Sequence, residues 1–199
     1  MIDRDEYDAR GRLTYQNRKL RRALALTKGR GVVVDVGAHC GLWAMQFASE
    51  FQWVHAFEPI PAHIECLMRN CADCDNVQIH AHALGNAAGR VTMHTEPTSS
   101  GDSYPAPGVN DGATLIERYD DLQIAAKIDL VKLDCEGFEL FALQGMAEML
   151  ARDQPAIVVE QKPGKAQKFG IGERDAVKYL ESIGYTVQGA LSGDFFLTR

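Results

Sequence analysis

What most constrains this chain is an alternation. Short, β-branched apolar runs are followed by stretches whose apolar residues fall at helical spacing. After "GVVVDV" come Ala44, Phe47, Ala48 and Phe51 at i, i+3, i+4, i+7, and after "WVHAFE" (53–58) come Ile64, Leu67, Met68 and Cys71. "IDLVKLD" (128–134) precedes Leu140, Leu143, Ala147 and Leu150, and "AIVVE" (156–160) precedes Ala176, Leu180 and Ile183. Strands that alternate with helices build right-handed βαβ units, hence an open, mostly parallel sheet with helices on both faces. The fold class expected is therefore doubly wound α/β. "VQIHAHAL" (77–84) reads as a third strand, with Asn86 and Gly89 turning the chain into another strand ending near His94. "YTVQG" and "DFFLT", around Ser192 and Gly193, read as a closing antiparallel pair.

At 199 residues, 46% of them apolar and 24% charged, the chain is sized for one globular domain. The acidic start "MIDRDEYDAR" is unlike a signal peptide and no apolar run reaches spanning length, so a cytoplasmic protein without membrane contact is expected. Five cysteines, an odd number, suit reduced thiols. The net charge of −6 argues against a nucleic-acid partner. "RKLRR" (18–22), with Leu13, Leu20 and Leu24 at helical spacing, reads as the solvated face of an N-terminal helix. "TEPTSSGDSYPAPGVNDG" (95–112) reads as a long loop, either a lid over a site or plain disorder.

In such sheets ligands bind beyond the carboxyl ends of the strands, at the switch in strand order. "DVGAHCGLW" lies at one such end, with glycine at 37 and 41. A dinucleotide fingerprint needs glycine where His39 and Leu42 stand, and the phosphate-loop Lys followed by Ser or Thr is absent. The start of the following helix can still take a carboxylate. Glu58, 21 residues after Gly37 at the end of the second strand, is placed to accept from ribose hydroxyls. An adenosine without pyrophosphate fits both, and S-adenosylmethionine (SAM) is such a molecule.

The segments "VDVGAHCGLW", "AFEP", "ALGNAAGRV", "YDDL", "IDLVKLDCEGFELFALQGM" and "PAIVVE" stand in the order and at about the spacing of the FkbM family of SAM-dependent methyltransferases, which the chain resembles from about Val32 onward. The resemblance implies a class I methyltransferase domain over 31–199 with a seven-stranded sheet, behind an N-terminal helical extension over 1–30. It implies SAM as cofactor and, most often in this family, a hydroxyl of a small molecule or sugar as acceptor. Asp35, Gly37, Ala38 and Gly41 would form the turn at the methionine end, and Glu58 would hold the ribose. Pro59 and Ile60 would wall the adenine, with Ala83 and Leu84 near the base. His39 and Cys40 stand where many relatives carry Asn and a small or β-branched residue, and His39 can donate a hydrogen bond in that place.

Asp134 and Glu136, at the carboxyl end of a central strand, are the leading candidates for a base that takes the acceptor's proton, with Glu160 a further one. Helix capping by Glu136 and a strand-end salt bridge at Glu160 are the alternative roles. No metal ligand set is assigned. His80 and His82 share a strand face but show no further ligand, and Cys66, Cys71 and Cys74 overlie a helix whose apolar face includes Cys66 and Cys71. Beside small-molecule O-methylation stand methylation of a macromolecule docked on the basic helix and the 95–112 segment, and a SAM-binding module without catalysis. A nicotinamide oxidoreductase lacks its glycines. The sequence carries no sign of oligomeric state.

Overall fold

The computed structural model describes residues 15–96, 99–106 and 112–199. Its centre is a seven-stranded sheet in the order β11-β12-β10-β9-β1-β2-β3. The strands are β1 (Val32–Val36), β2 (Trp53–Phe57), β3 (Val77–His80), β9 (Ile128–Leu133), β10 (Ala156–Glu160), β11 (Thr186–Leu191) and β12 (Asp194–Thr198). β3, β2, β1, β9 and β10 run parallel, and β12 and β11 pair antiparallel. The chain builds outward from β1 to β3 and then returns to β9, so the order reverses between β1 and β9.

Both faces of the sheet are covered, and the strands show why. Val33, Leu130 and Val158 pack with Leu20, Trp43, Phe47 and Leu67 on one side. Val34, Val131 and Val159 pack with Leu143, Met149, Val177 and Leu180 on the other. The first side carries α1 (Asn17–Leu26), α2 (Leu42–Phe47) and α3 (Pro61–Asn70), the second α4 (Glu139–Gln144), α5 (Ala147–Asp153) and α6 (Asp175–Ser182). Each large side chain buried this way stabilises the fold by about 1.5–3 kcal/mol, so a β-branched strand apolar on both faces is what a central position requires.

Several expectations change. Residues 77–84 are not one strand: β4 (Ala83–Leu84) leaves the main sheet and joins β8 (Thr114–Glu117) and β5 (Gly89–Val91) in a small three-stranded one. The 95–112 segment is not simply a loop, because β6 (Met93–Glu96) pairs with β7 (Ser99–Pro105) as an antiparallel hairpin; 97–98 and 107–111 lie outside the described residues. The helix after β9 divides into α4 and α5 at Gly145, where a Cβ would come within 2.0 Å of Gly85 O.

The basic run is not wholly a solvated face. Lys19 is 8% exposed and its Nζ lies 2.9 Å from Asp194 Oδ1, while Arg22 donates to Gln188 O and sits over the Phe196 ring. Leu13 lies outside the described residues. On α3, Met68 and Cys66 are exposed and Leu67 is the buried residue, with Cys71 buried at the C-cap just beyond. No helix among the described residues is long and apolar enough to cross a membrane.

Candidate active site

β1 ends in a turn built from left-handed residues: Gly37 (φ 75°), His39 (φ 52°) and Gly41 (φ 84°). The two glycines are needed by the chain itself. A Cβ on Gly37 would stand 2.0 Å from the Asp134 carbonyl oxygen, and one on Gly41 would meet Leu67 Cδ1 at 2.3 Å. The turn therefore nests between the end of β9 and the side of α3. The Gly37 and Ala38 N–H groups both donate to Phe57 O at 3.0 Å.

Glu58, at the end of β2 and 4% exposed, ties this turn to the next strand. Its Oε2 accepts from His39 N–H at 2.8 Å, and its Oε1 accepts from Ile60 N–H at 2.9 Å with His63 Nδ1 at 3.2 Å. His39 Nε2 lies 3.0 Å from Ser100 Oγ on the hairpin. Burial, with His63 beside it, holds the His39 imidazole below its usual pKa and hence neutral at neutral pH.

Two cavities meet along this turn. The first, about 550 Å³, is largely apolar and is lined by Phe57, Glu58, Pro59, Ile60, His82, Ala83, Leu84, Met93 and Phe138. The second, about 920 Å³, is polar and holds Tyr15, Gln16, Ala38, Cys40, Lys132, Glu160 and Lys162. Gly37, His39, Gly101, Asp134 and Glu136 line both. The structure thus gathers eleven of the thirteen residues singled out above on two connected walls: Gly37, Ala38, His39, Glu58, Pro59, Ile60, Ala83, Leu84, Asp134, Glu136 and Glu160. Asp35 and Gly41 line neither: Asp35 is wholly buried beneath the turn and Gly41 faces α3.

The polar chamber is an array of paired charges. Asp134, Glu136 and Glu160 each bring a carboxylate oxygen within 4.8 Å of the others. Lys162 Nζ is 2.5 Å from Glu160, Lys165 Nζ is 2.6 Å from Glu136 and also pairs with Asp102 on the hairpin, and Lys132 Nζ is 4.0 Å from Asp134. Burial and the adjacent Asp134 push Glu160 up to about 8. Burial also raises Glu136 above the usual carboxylate range. Lys132 is itself buried, 3.1 Å from Asp35 Oδ1, and donates to Gly37 O. These lysines supply positive charge against the carboxylates from within the chain.

No side chain caps α4 at its N-cap Phe138, so Glu136 does not serve as a helix cap, and the loop ahead of α4 is tied instead by Glu139. Glu139 Oε1 accepts from Cys135 N–H at 2.8 Å and Gly137 N–H at 3.0 Å, whereas Glu136 stands in a left-handed conformation (φ 55°) with its carboxylate on the chamber wall. His80 stacks on Phe57 and lies 3.0 Å from His55 Nδ1, so the strand histidines pack against other rings. Sequence reasoning passed over Lys132, Lys162, Lys165, Tyr15 and Gln16. For Lys132 and Lys162 a signal existed, since each sits two residues from a candidate carboxylate; for Tyr15 and Gln16 there was none.

None of the curated proteins matches the chain. Among solved structures it is similar to a methyltransferase FkbM from Methylobacillus flagellatus KT, with 20% identity and a TM-score of 0.59 over 87% of this chain and 45% of that one. The chain thus spans about half the length of that protein. It is also similar to SMU.1697c, a putative methyltransferase from Streptococcus mutans solved in complex with SAH (9% identity, TM-score 0.57, 92% of this chain and 94% of that one), and to a putative O-methyltransferase from Klebsiella pneumoniae (13% identity, TM-score 0.56, 99% and 82%). At these identities the likeness concerns the fold. A family model for the methyltransferase FkbM domain matches residues 35–187, which is most of the sequence, and the chain belongs to the FkbM methyltransferase family.

Proposed function

We propose that this chain is a SAM-dependent methyltransferase that methylates a hydroxyl group of a small molecule or glycan. One observation carries the reading: an apolar cavity and a polar chamber share a wall made of the glycine turn and Asp134. The adenosyl and methionine ends of SAM differ in polarity in the same way. That the S. mutans protein was solved with SAH supports the same cofactor for this fold.

The residues present fit such a group. Ile60, Ala83 and Leu84 give flat apolar walls for a purine. Glu58 carries three donors in the chain, and a carboxylate offers about four lone-pair sites, which leaves one for a ribose hydroxyl. Asp35 Oδ2 is buried beneath the turn without a hydrogen-bond partner and, with Lys132 on its other oxygen, sets the charge under the glycine turn rather than on a cavity wall.

When bound, SAM supplies a methyl group already activated on a sulfonium. The chain's part is to align the acceptor oxygen with that carbon and to keep water away, which alone accounts for several kcal/mol of barrier lowering. Asp134, whose side chain is 33% exposed, faces the chamber and would accept the proton of an acceptor hydroxyl held there. β7 lines the apolar cavity with Ser100 and the polar chamber with Ser99 and Asp102, and its Gly101 lines both. A macromolecular acceptor held by the basic helix is the weaker reading, since Lys19 and Arg22 are turned to partners within the fold.

Calorimetric titration with S-adenosylhomocysteine (SAH), with NAD as control, tests the cofactor reading. Wild type should bind SAH and not NAD; the reverse pattern removes the proposal.

A further inference from the structure

Just ahead of α1, Tyr15 and Gln16 share the lining of the polar chamber with Asp134, Glu160 and Lys162. The backbone of Tyr15 is what holds this segment in place. The Gln46 side chain, 6% exposed on α2, accepts from Tyr15 N–H at 3.2 Å and donates to Tyr15 O at 2.9 Å. Trp43 Nε1 adds a third tie by donating to Gln16 Oε1 at 3.1 Å. Gln16 itself takes a left-handed conformation (φ 51°, ψ 40°), which a residue with a side chain adopts only where its surroundings impose it.

The ring of Tyr15 is spared from that work. Tyr15 is 39% exposed, and its phenol oxygen accepts from Gln16 Nε2 at 3.1 Å, which leaves the O–H free to donate outward. Burial and the Asp134 carboxylate raise the phenol above its usual pKa, so the O–H keeps its proton at any working pH. Around it, Glu160 with Lys162 and Glu136 with Lys165 alternate acceptors and donors with their charges matched in pairs. Such an array suits hydroxyl groups, which donate and accept at once, and an aromatic ring with a polar tip suits the apolar face of a polyol.

We infer that Tyr15 is a specificity-determining residue of the acceptor subsite, contacting a neutral, hydroxylated acceptor held between the N-terminal segment and the carboxylates. This rests on the methyltransferase reading above and assigns a role to a segment ahead of the family-matched residues.

The test uses labelled methyl transfer from SAM to a panel of neutral monosaccharides and polyols by wild type, Tyr15→Phe and Tyr15→Ala, with SAH titrated into each protein. Neither substitution removes the backbone bonds to Gln46. Tyr15→Ala should raise the KM for the methylated panel member by about tenfold or more, with Tyr15→Phe in between, while SAH affinity and the KM for SAM stay within about twofold. An unchanged acceptor KM in Tyr15→Ala overturns the inference, as does a parallel loss of SAH affinity, which marks general damage to the turn. So does a wild type that binds SAH and methylates no panel member. A wild type that does not bind SAH removes the methyltransferase reading itself, and this inference with it.

Discussion

The backbone N–H of His39 donates to the Glu58 carboxylate at 2.8 Å, so the group proposed to hold a ribose also fastens the glycine turn to the second strand. Glu58→Ala should therefore do two separable things. Loss of a charged hydrogen bond to the ribose should weaken SAH binding by about 1.5–3 kcal/mol, read by calorimetry. Loss of the acceptor for His39 and Ile60 N–H should also lower the melting temperature. Glu58→Gln, which keeps one carbonyl acceptor, should recover more of the stability than of the affinity. Equal recovery of both would contradict the dual role.

Gly37 should tolerate no side chain. At φ 75° and with Asp134 O 2.0 Å from a would-be Cβ, Gly37→Ala must separate β1 from β9. A loss on the order of 3 kcal/mol is expected from the conformation and the clash together, measurable by urea denaturation. Gly101, where nothing lies within 4 Å, is the control and should accept Ala with little change in stability.

The proton-accepting pair should leave its mark on pH profiles. With Glu160 pushed up to about 8, kcat/KM should rise along a limb near pH 8. Lys162 lowers that pKa and Asp134 raises it, so Lys162→Ala should move the limb to higher pH, and Asp134→Asn, followed by direct titration of Glu160 because the variant lacks the proposed base, should move the Glu160 pKa lower. Shifts in the same direction would sink the assignment. The folded state holds this proton more tightly than the unfolded chain, so the contribution of Glu160 to stability is present below its ordinary range near 4.5 and is lost as pH rises toward 8.

His80 should act on stability in the opposite sense. Burial, with His55 and His82 nearby, lowers its pKa from 6.5 to about 4. The unfolded chain takes up the proton first, so the contribution of His80 to stability should be constant above about pH 6.5 and fall as the pH drops toward 4. His80→Phe, which keeps the stack on Phe57, should flatten that fall in melting temperature between pH 7 and pH 5. An unaltered slope would place the acid sensitivity elsewhere.

The hairpin should come loose when its clasp is cut. Lys165 joins Asp102 on β7 to Glu136, and Lys168 lies 3.1 Å over the Tyr104 ring. Lys165→Ala should speed amide hydrogen exchange across 99–106 and leave β1, β9 and β10 protected. Exchange unchanged in the hairpin would show that pairing with β6 alone holds it.

The sheet could be read from the chain because β1, β9 and β10 are buried on both faces, which writes itself as continuous apolar β-branched sequence. β7, "SSGDSYP", could not: its pairing partner β6 is itself mostly exposed, so neither strand needs an apolar alternation. The break between β3 and β4 was hidden because Ala81 and His82 continue the pattern of "VQIHAHAL" while the backbone changes sheets. The burial of Lys19 depends on Asp194, 175 positions away, and no local pattern records such a partner. Site residues tied to strand ends were legible for the same reason as the sheet. Tyr15 and Lys165 were not, because they reach the chamber from segments that no strand positions.

The contact between Gly37 and the Asp134 carbonyl has one more consequence. Two turns that touch backbone to backbone cannot be repositioned independently, so the proposed cofactor seat and the proposed proton acceptor belong to one piece of packed main chain. Attempts to redirect this enzyme toward new substrates would do best to leave that piece alone and to diversify the hairpin and the N-terminal segment, where change meets side chains instead of main chain.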